Sequence, residues 1–574
     1  MYNKKLADIL NTFADIIEIQ GGKNAHFKVR AYRQAALTVQ NLPKDIAEYV
    51  DIEEEKFIEH LPGFGEAIQH KTIKLIKTGE VHEFNELKET VPPGLLEMLN
   101  LKNVGPKKVK KFYDELNITN LDELKEAIDD GRLAALDGMG QKSAEKILDS
   151  IKYLKEYSTR TPLGLIYPTL QELIQSLQAC PYVIQVNYAG SARRMEETIG
   201  DIDILTTGKP EDHTKIIKYF VNLPYIEKIE AEGDTKATVF IQNQVQVDLR
   251  VVNEDEYGAA MQYFTGNKRH NVMLRSLARK KGLTINEYGI FEIDTEKKVG
   301  GQIEAEIYQA LDLEYIQPEL RQGNNEIDEA AKNKLPKLVT LKEIKGDLHT
   351  HSTYSDGNHS IAQMAEAAQK LGYEYIAITD HSESLKVSGG LNKTELHKKR
   401  QEIDSLQNQF DITILYGTEV DIMPDGSLDY DDKTLAEFDI VVASVHSKLE
   451  SDITERVIKA MQNPHVHIIG HLTTRLISKR EGSPHDIKQI FQAAKDTGTI
   501  LEINSQPLRL DINGSLARMA KEEYELKFVI NTDAHNTEGL EIMNLGVGQA
   551  RRGWLTKNDI LNTMSLKDLM SNLK

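Results

Sequence analysis

Gly190-Ser191-Ala192-Arg193-Arg194 and, shortly after it, Asp201-Ile202-Asp203-Ile204-Leu205 decide how the first half of the chain is read. In a strand, side chains two apart share a face, so Asp201 and Asp203 project together while Ile202 and Ile204 point the other way. Two carboxylates held side by side require a cation between them. Magnesium takes oxygen ligands and is held by one or two carboxylates plus substrate phosphates. Just upstream, Gly190-Ser191 opening a helix aims backbone N–H groups at an anion, with the Ser191 hydroxyl and Arg194 as further donors. A third carboxylate stands in Gln244-Val245-Gln246-Val247-Asp248-Leu249-Arg250-Val251-Val252, whose alternation predicts a half-buried strand with Asp248 on the face opposite the valines. If the two strands are neighbours, three carboxylates converge and can hold two ions about 3.5–4 Å apart, the layout for in-line phosphoryl or nucleotidyl transfer. The plainer reading is a surface turn with solvated acids. It accounts for an isolated Asp-x-Asp but not for the ordered set.

These residues resemble the nucleotidyltransferase signature of the family X DNA polymerases. The resemblance continues through Tyr263-Phe264-Thr265-Gly266, Asn271, Arg275 and Thr284-Ile285-Asn286-Glu287-Tyr288. It implies that Asp201, Asp203 and Asp248 hold catalytic Mg2+ and that Ser191 and Arg194 contact a triphosphate. It also counts Gly190 and Gly200 among the nucleotide-binding positions. Tyr263, Phe264, Gly266 and Asn271 would flank the sugar and base of a dNTP, with Arg275 near the template. Core packing is the other reading of the aromatic pair.

At 574 residues the chain is too long for one core, so two to four domains are expected. No run of eighteen apolar residues predicts a membrane span. The beginning Met1-Tyr2-Asn3-Lys4-Lys5 lacks an apolar signal core, and the single Cys180 excludes an internal disulfide framework. These features predict a cytoplasmic protein without membrane attachment. The net charge of −19 argues against polyanion binding only if it is read globally. Counterion release depends on the contacted patch, and Lys102, Lys107, Lys108, Lys110 and Lys111 cluster around Val104-Gly105-Pro106. The acidic run Asp51–Lys56 reads as a solvated face.

Leu61-Pro62-Gly63-Phe64-Gly65, Leu101-Lys102-Asn103-Val104-Gly105 and Leu136-Asp137-Gly138-Met139-Gly140 form an internal repeat, each copy preceding a helix that carries lysines. Glycines in a hairpin between helices let backbone N–H groups approach a phosphate. The repeat resembles the helix-hairpin-helix element, which makes Gly63, Gly65, Val104, Gly105, Lys107, Lys108, Gly138 and Gly140 candidate DNA contacts. An ordinary helix–helix turn is the alternative. Ala31-Tyr32-Arg33-Gln34-Ala35-Ala36 resembles the amino-terminal domain of animal family X repair polymerases. By that match Lys71 falls at the Schiff-base lysine of a deoxyribose-phosphate lyase. Ala67 and Phe27 stand where that pattern has a lysine and a histidine, so a solvated helix lysine is also retained.

The second half has another texture. Seven apolar runs end in polar or metal-capable groups: His349-Thr350-His351, Asp380-His381, Glu419, His446, His471, Asn504 and Asp533-Ala534-His535, with Asp356 in the loop after the first. Runs alternating with helical stretches predict a parallel sheet wound with helices, and in a parallel barrel the strand C-termini meet at one mouth. A lone histidine there is usually structural. So many imidazoles and acids packed without cations would be poorly satisfied. The order His-x-His, Asp-His, Glu, His, His, Asp-x-His resembles the polymerase and histidinol phosphatase (PHP) family. The match falls on His349, His351, Asp356, His381, Glu419, His446, His471, Asp533 and His535. It implies a distorted (β/α)7 barrel binding up to three ions, Mn2+ or Zn2+, for phosphoester hydrolysis. Asp356 stands where many relatives have His, which favours harder ions. Arg475 reads equally as a phosphate contact or a salt bridge.

The expected plan is multidomain. An α-helical amino-terminal domain (1–82) precedes a helix-hairpin-helix domain (83–157), an α+β palm (158–254) and a thumb (255–316). A polar linker (317–338) with Pro318 and Pro336 then leads to the PHP domain (339–574). Together the two resemblances imply a monomeric polymerase that fills short gaps in nicked or gapped DNA during base excision repair. It would carry a PHP 3′–5′ exonuclease, with AP endonuclease activity as an extension. The alternatives are a PHP small-molecule phosphatase fused to a polymerase, or a DNA-binding module with one inactive half.

Overall fold

The structure is a computed structural model that describes residues 2–40, 46, 61–78, 84, 87–88, 90–99, 101, 104–157, 160–241 and 244–574. The run Asp51–Lys56, together with Lys102 and Asn103, lies outside the described residues. The chain divides into two compact units, Met1–Ser158 and Thr159–Lys574. Among the described residues, no helix is long and apolar enough to cross a membrane.

The first unit is helical. Helices Tyr2–Gln20 and Ala25–Gln40 bury Leu6, Leu10, Phe13, Tyr32 and Ala35 against each other, with the Phe13 and Tyr32 rings stacked at 5.2 Å. Ile16 and Ile19 join a second core around Val109, Phe112, Leu124 and Ile147. The three repeats share one backbone geometry. The N–H groups of Phe64, Val104 and Met139 donate to the carbonyls of Leu61, Leu101 and Leu136 at 3.0, 3.1 and 2.9 Å. The carbonyls of Gly65, Gly105 and Gly140 then accept from Ile68, Lys108 and Ser143 at 2.8, 2.9 and 2.8 Å, which starts helices Glu66–Thr78, Pro106–Leu116 and Gln141–Tyr157. Phe64, Val104 and Met139 are buried and pin each hairpin, leaving Gly65, Gly105 and Gly140 exposed. Gly63 and Gly138 have φ of +88° and +74°, where a side chain would be strained.

In the second unit a five-stranded sheet has the order β1-β2-β5-β4-β3: β1 Gln185–Tyr188, β2 Asp201–Thr207, β3 Lys228–Glu232, β4 Lys236–Ile241 and β5 Val245–Val252. β2 and β5 are parallel, and the expected alternation holds, with Ile202, Ile204, Val245, Val247 and Leu249 buried beneath helices Leu163–Gln178 and His213–Val221. A three-stranded sheet follows, β6 Leu283–Asn286, β7 Gly289–Glu292 and β8 Lys298–Gly300.

Seven parallel strands then run in sequential order: β9 Gly346–Thr350, β10 Tyr375–Ile378, β11 Thr413–Asp421, β12 Ile440–Ser444, β13 Ile468–Ile469, β14 Ile500–Asn504 and β15 Phe528–Asn531. The ends approach each other through a parallel bridge from Thr350 to Ala534 and a Leu348 N–H bond to Asn531 Oδ1 of 3.1 Å, so the sheet is a nearly closed barrel. Strands buried on both faces give the continuous apolar runs seen in the sequence. Side chains of Ser360, Asn392, Asp486 and Asn513 cap four helices of its outer layer.

The polar segment 317–338 is folded and does not act as a free spacer. Arg321 is wholly buried, bonds Glu304 and donates to the Ile316 carbonyl, and buried Glu326 accepts from His270 at 2.8 Å. Arg321, Glu326 and Glu319 are paired inside the structure, and composition alone cannot distinguish such side chains from those of a solvated linker. The palm and barrel share apolar packing, since Ile477, Leu510 and Leu545 belong to the palm core and Trp554 belongs to the thumb core.

Candidate metal centres

Asp203 and Asp248 are directly paired across the parallel strands β2 and β5, and Asp201 lies two residues along on the same face. One oxygen of each lies within 4.8 Å of the others. Burial, then the neighbouring charges of Asp201 and Asp248, push the Asp203 carboxyl up to about 6. Asp248 is fixed by the Thr238 hydroxyl, by Gln246 Nε2 at 3.1 Å and by Lys236 at 3.7 Å. Three mutually repelling carboxylates around one point fit a hard divalent cation.

Gly190 begins the single turn Gly190–Arg193 beside this trio. Its φ is +61°, and a Cβ there would lie 2.6 Å from Asp203 Oδ2. Gly190→Ala is therefore expected to displace the carboxylate and to lower the nucleotide addition that the family X resemblance implies by about 100-fold, with any 3′-end hydrolysis unchanged. Single-turnover extension of a primed template checks this.

Arg194 donates to the Thr265 carbonyl and lies 3.5 Å from Glu196, and Gly266 stands against its guanidinium. Asn271 donates to the Tyr263 carbonyl at 2.7 Å and accepts from Gln262 at 2.8 Å. The Tyr263 and Phe264 rings meet edge to face at 5.1 Å, and Arg250 lies over Phe264. Gly190, Arg194, Gly266, Tyr263 and Asn271 thus form one neighbourhood. Gly200 directly precedes Asp201, and Ser191 follows Gly190 in the same turn. Arg275 is half-buried on helix Lys268–Lys280. In the first unit, Lys71 Nζ lies 3.3 Å from the Ala67 carbonyl and 5.5 Å from the Phe13 ring centroid, lining a hollow of about 640 Å³ with Lys23 and Lys28.

At the barrel mouth the nine expected residues come together. His351, Asp356, His381 and His535 form one group, His349, His351 and Glu419 another, and His381, Glu419 and His446 a third. Asp533 lies 3.1 Å from His351, and His471 lies 3.0 Å from Glu419. His349 Nε2, both ring nitrogens of His351, His381 Nδ1, His471 Nδ1 and Glu419 Oε2 are buried without a hydrogen-bond partner among the described residues. Such lone pairs pointing into a shared space fit cations and would be costly without them.

The charge pattern agrees. Burial opposes protonation of His381, but Glu419 and Asp356 outweigh it and raise the imidazole to about 10. His446 is raised to about 9 against burial by Glu419 and Asp421. His351, buried beside His535 and His381, is lowered to about 4. An incoming divalent ion must displace the protons on His381 and His446. Metal binding is therefore expected to release protons at pH 7 and to strengthen as pH rises toward about 9. Calorimetry in buffers of different ionisation enthalpy measures this, and a pH-independent affinity would contradict it.

Several functional neighbours were not visible in the sequence. Glu502 accepts from His349 Nδ1 at 2.7 Å and from the His471 backbone N–H at 2.7 Å, and Asp421 lies 3.0 Å from His446 Nδ1. These acids orient the rings so that the other nitrogens face the cluster. Glu502, a carboxylate between Leu501 and Ile503 in a buried strand, carried a local signal; Asp421, the last residue of a mixed strand, carried none. Buried Lys399 pairs with Asp380 at 2.9 Å and donates to the Ile378 and Gly417 carbonyls, fixing the strand end before His381. Arg475 is a salt bridge: it makes a two-pronged pair with Glu197 at 2.8 and 3.1 Å and also holds the Arg509 and Leu510 carbonyls.

Known proteins bear on this arrangement at several points. Residues 260–322 match the DNA polymerase beta thumb, 347–506 the PHP domain, 1–81 a helix-hairpin-helix domain and 95–152 a SAM-like helix-hairpin-helix tandem. The chain is 39% identical to the DNA polymerase/3'-5' exonuclease PolX of Bacillus subtilis (strain 168), over 100% of both proteins. It is 22% identical to DNA polymerase lambda of Rattus norvegicus, over 55% of this chain and 56% of that protein. A probable phosphatase of Thermoanaerobacter sp. (strain X514) is 31% identical over 38% of this chain and 89% of its own length. With helix-hairpin-helix, palm, thumb and PHP barrel on one polypeptide, and full-length similarity to PolX, the chain belongs to the family X DNA polymerases that carry a C-terminal PHP domain.

Proposed function

We propose that this chain is a DNA repair polymerase that fills short gaps and trims 3′ ends, acting as a monomer in the cytoplasm. The observation that carries this reading is the pair of distinct donor sets on one chain, three palm carboxylates and a nest of seven clustered imidazoles and carboxylates with Asp533 and His471 beside it. It is template-directed DNA polymerisation joined to PHP 3′–5′ exonuclease activity. Both halves depend on divalent metal ions: Mg2+ on Asp201, Asp203 and Asp248, and up to three Mn2+ or Zn2+ on the PHP residues.

When bound, such ions neutralise phosphate oxygens and acidify the attacking group. The chain's own groups do the positioning. Ser191, Arg194 and the backbone at Gly190 and Gly200 bind the triphosphate, while Tyr263, Phe264, Gly266 and Asn271 flank sugar and base. Arg275 faces the template. Thr238 and Gln246 prevent Asp248 from turning away. At the PHP mouth, Glu502 and Asp421 hold His349 and His446 in orientation, and Asp356 joins His381 to His535 at 3.4 and 3.3 Å. The hairpins at Gly63, Gly65, Val104, Gly105, Gly138 and Gly140, with Lys107 and Lys108, hold DNA backbone without reading sequence.

A duplex with a one-nucleotide gap, incubated with Mn2+ with and without dNTPs, tests the reading. Extension with dNTPs and 3′ degradation without them are expected. Hydrolysis of simple phosphomonoesters far faster than 3′ nucleotide release would instead favour a small-molecule phosphatase. An abasic-site duplex extends the test to AP incision by the PHP half. Borohydride trapping on the same duplex, lost in Lys71→Ala, tests the lyase.

A further inference from the structure

A cavity of about 620 Å³ opens beside the PHP nest, lined by Asp533 and His535 together with Leu165, Pro507, Leu508 and Ile542. Leu165 does not belong to the barrel. It stands on helix Leu163–Gln178 of the palm and is 53% exposed. The preceding Gly164 packs so tightly on the barrel loop that a Cβ there would lie 2.5 Å from Pro507 Cα. This loop is pinned from both sides. Gln506 Nε2 donates to the Thr532 and Asp533 carbonyls at 2.9 and 2.7 Å, and Arg475, paired with Glu197, holds the carbonyls of Arg509 and Leu510. Arg509 Nε is 3.9 Å from Asp533 Oδ2, so its guanidinium lies at the edge of the metal nest.

The volume suits a small organic ligand. Its chemistry suits a flat, largely apolar group whose phosphate lies at the nest. We propose that the cavity is the subsite for the base and sugar of the 3′-terminal nucleotide, with Arg509 facing the scissile phosphate and Leu165 of the palm completing the wall. This rests on the nuclease reading and deepens it, because the hydrolytic site would be finished by a residue of the synthetic half. Aliphatic side chains bury the face of any base without reading its edge, and both Gln506 amide protons are committed to backbone. Release is therefore expected for all four bases. Exposed Glu538 at the rim repels a further phosphate on that side, which favours a terminal over an internal nucleotide.

The test compares wild type, Leu165→Glu and Leu165→Met in the full chain with Mn2+. It uses isothermal titration of dAMP and of inorganic phosphate, and 3′ nucleotide release from a single strand. Because Leu165 is exposed, neither change threatens folding, and gap filling serves as the folding control. Leu165→Glu is expected to weaken dAMP about ten-fold and raise KM for 3′ ends similarly, with phosphate binding weakened much less and Leu165→Met close to wild type. Equal dAMP affinity in Leu165→Glu and wild type, or wild-type dAMP binding no tighter than phosphate, overturns the subsite. If wild type degrades 3′ ends and Leu165→Glu does so equally well, the subsite alone fails. If wild type releases no 3′ nucleotide, the nuclease reading fails and the subsite with it.

Discussion

Asp203→Ala is expected to lower nucleotide addition by about 1,000-fold or more while leaving 3′ nucleotide release near the wild-type rate. Asp203 is the central acid of its trio, paired in register with Asp248 and two residues from Asp201. Removing it leaves one acid on β2, and that acid is exposed. The variant should fold. The carboxyl is raised to about 6 by burial and then by its two acidic neighbours, so the folded chain holds this proton more tightly than the unfolded chain. Its stabilising contribution is full below about pH 4 and is lost as pH rises through about 6. Without metal, Asp203→Ala should therefore be more stable than wild type at pH 8, by on the order of 2 kcal/mol, and gain nothing at pH 4. Primer extension, 3′ release and calorimetric unfolding at the two pH values measure the three parts. Loss of both activities would show that the centres are not independent.

His351→Ala should produce the opposite split, with 3′ nucleotide release falling by about 1,000-fold and gap filling retained. The ring is fully buried and belongs to two of the three ligand groups, so one substitution impairs two ion positions. Its Nε2 lies 3.1 Å from buried Asp533, so truncation removes that contact together with the ligand nitrogens. Burial, then His535 and His381, lower the imidazole to about 4, so it is neutral and ready to ligate at pH 7. Metal content by mass spectrometry should fall with the activity. A variant that keeps its full complement of ions yet loses hydrolysis would assign His351 some other role.

Both predictions involve residues that the sequence had marked, because local periodicity carries that information. Asp-x-Asp in an apolar run fixes two carboxylates on one face whatever the surroundings. Apolar runs that end in His, Asp or Glu place those groups at strand termini. The hairpin repeat was visible for the same reason, since a turn is set by residues within five positions of one another. Helix and strand periods say nothing about partners from elsewhere. Glu502 and Asp421 gained meaning only once β14 and β11 set them beneath particular histidines. The segment 317–338 read as a linker because buried ion-pair partners and solvated side chains have the same composition.

The sequence by itself determined the face or strand end that each candidate donor occupies, the form of the hairpin turns, and that one chain carries both donor sets. Only the tertiary structure decided how the synthetic and hydrolytic halves are joined. Arg475 meets Glu197 across 278 positions, Gln549 donates to the Met195 carbonyl, and Arg552 bonds the Arg194 carbonyl and pairs with Glu196, beside the turn Gly190–Arg193. The physical reason is range. Spacing along a chain encodes the face and end of an element, whereas a contact between distant elements exists only after their cores have packed and brought the charges together.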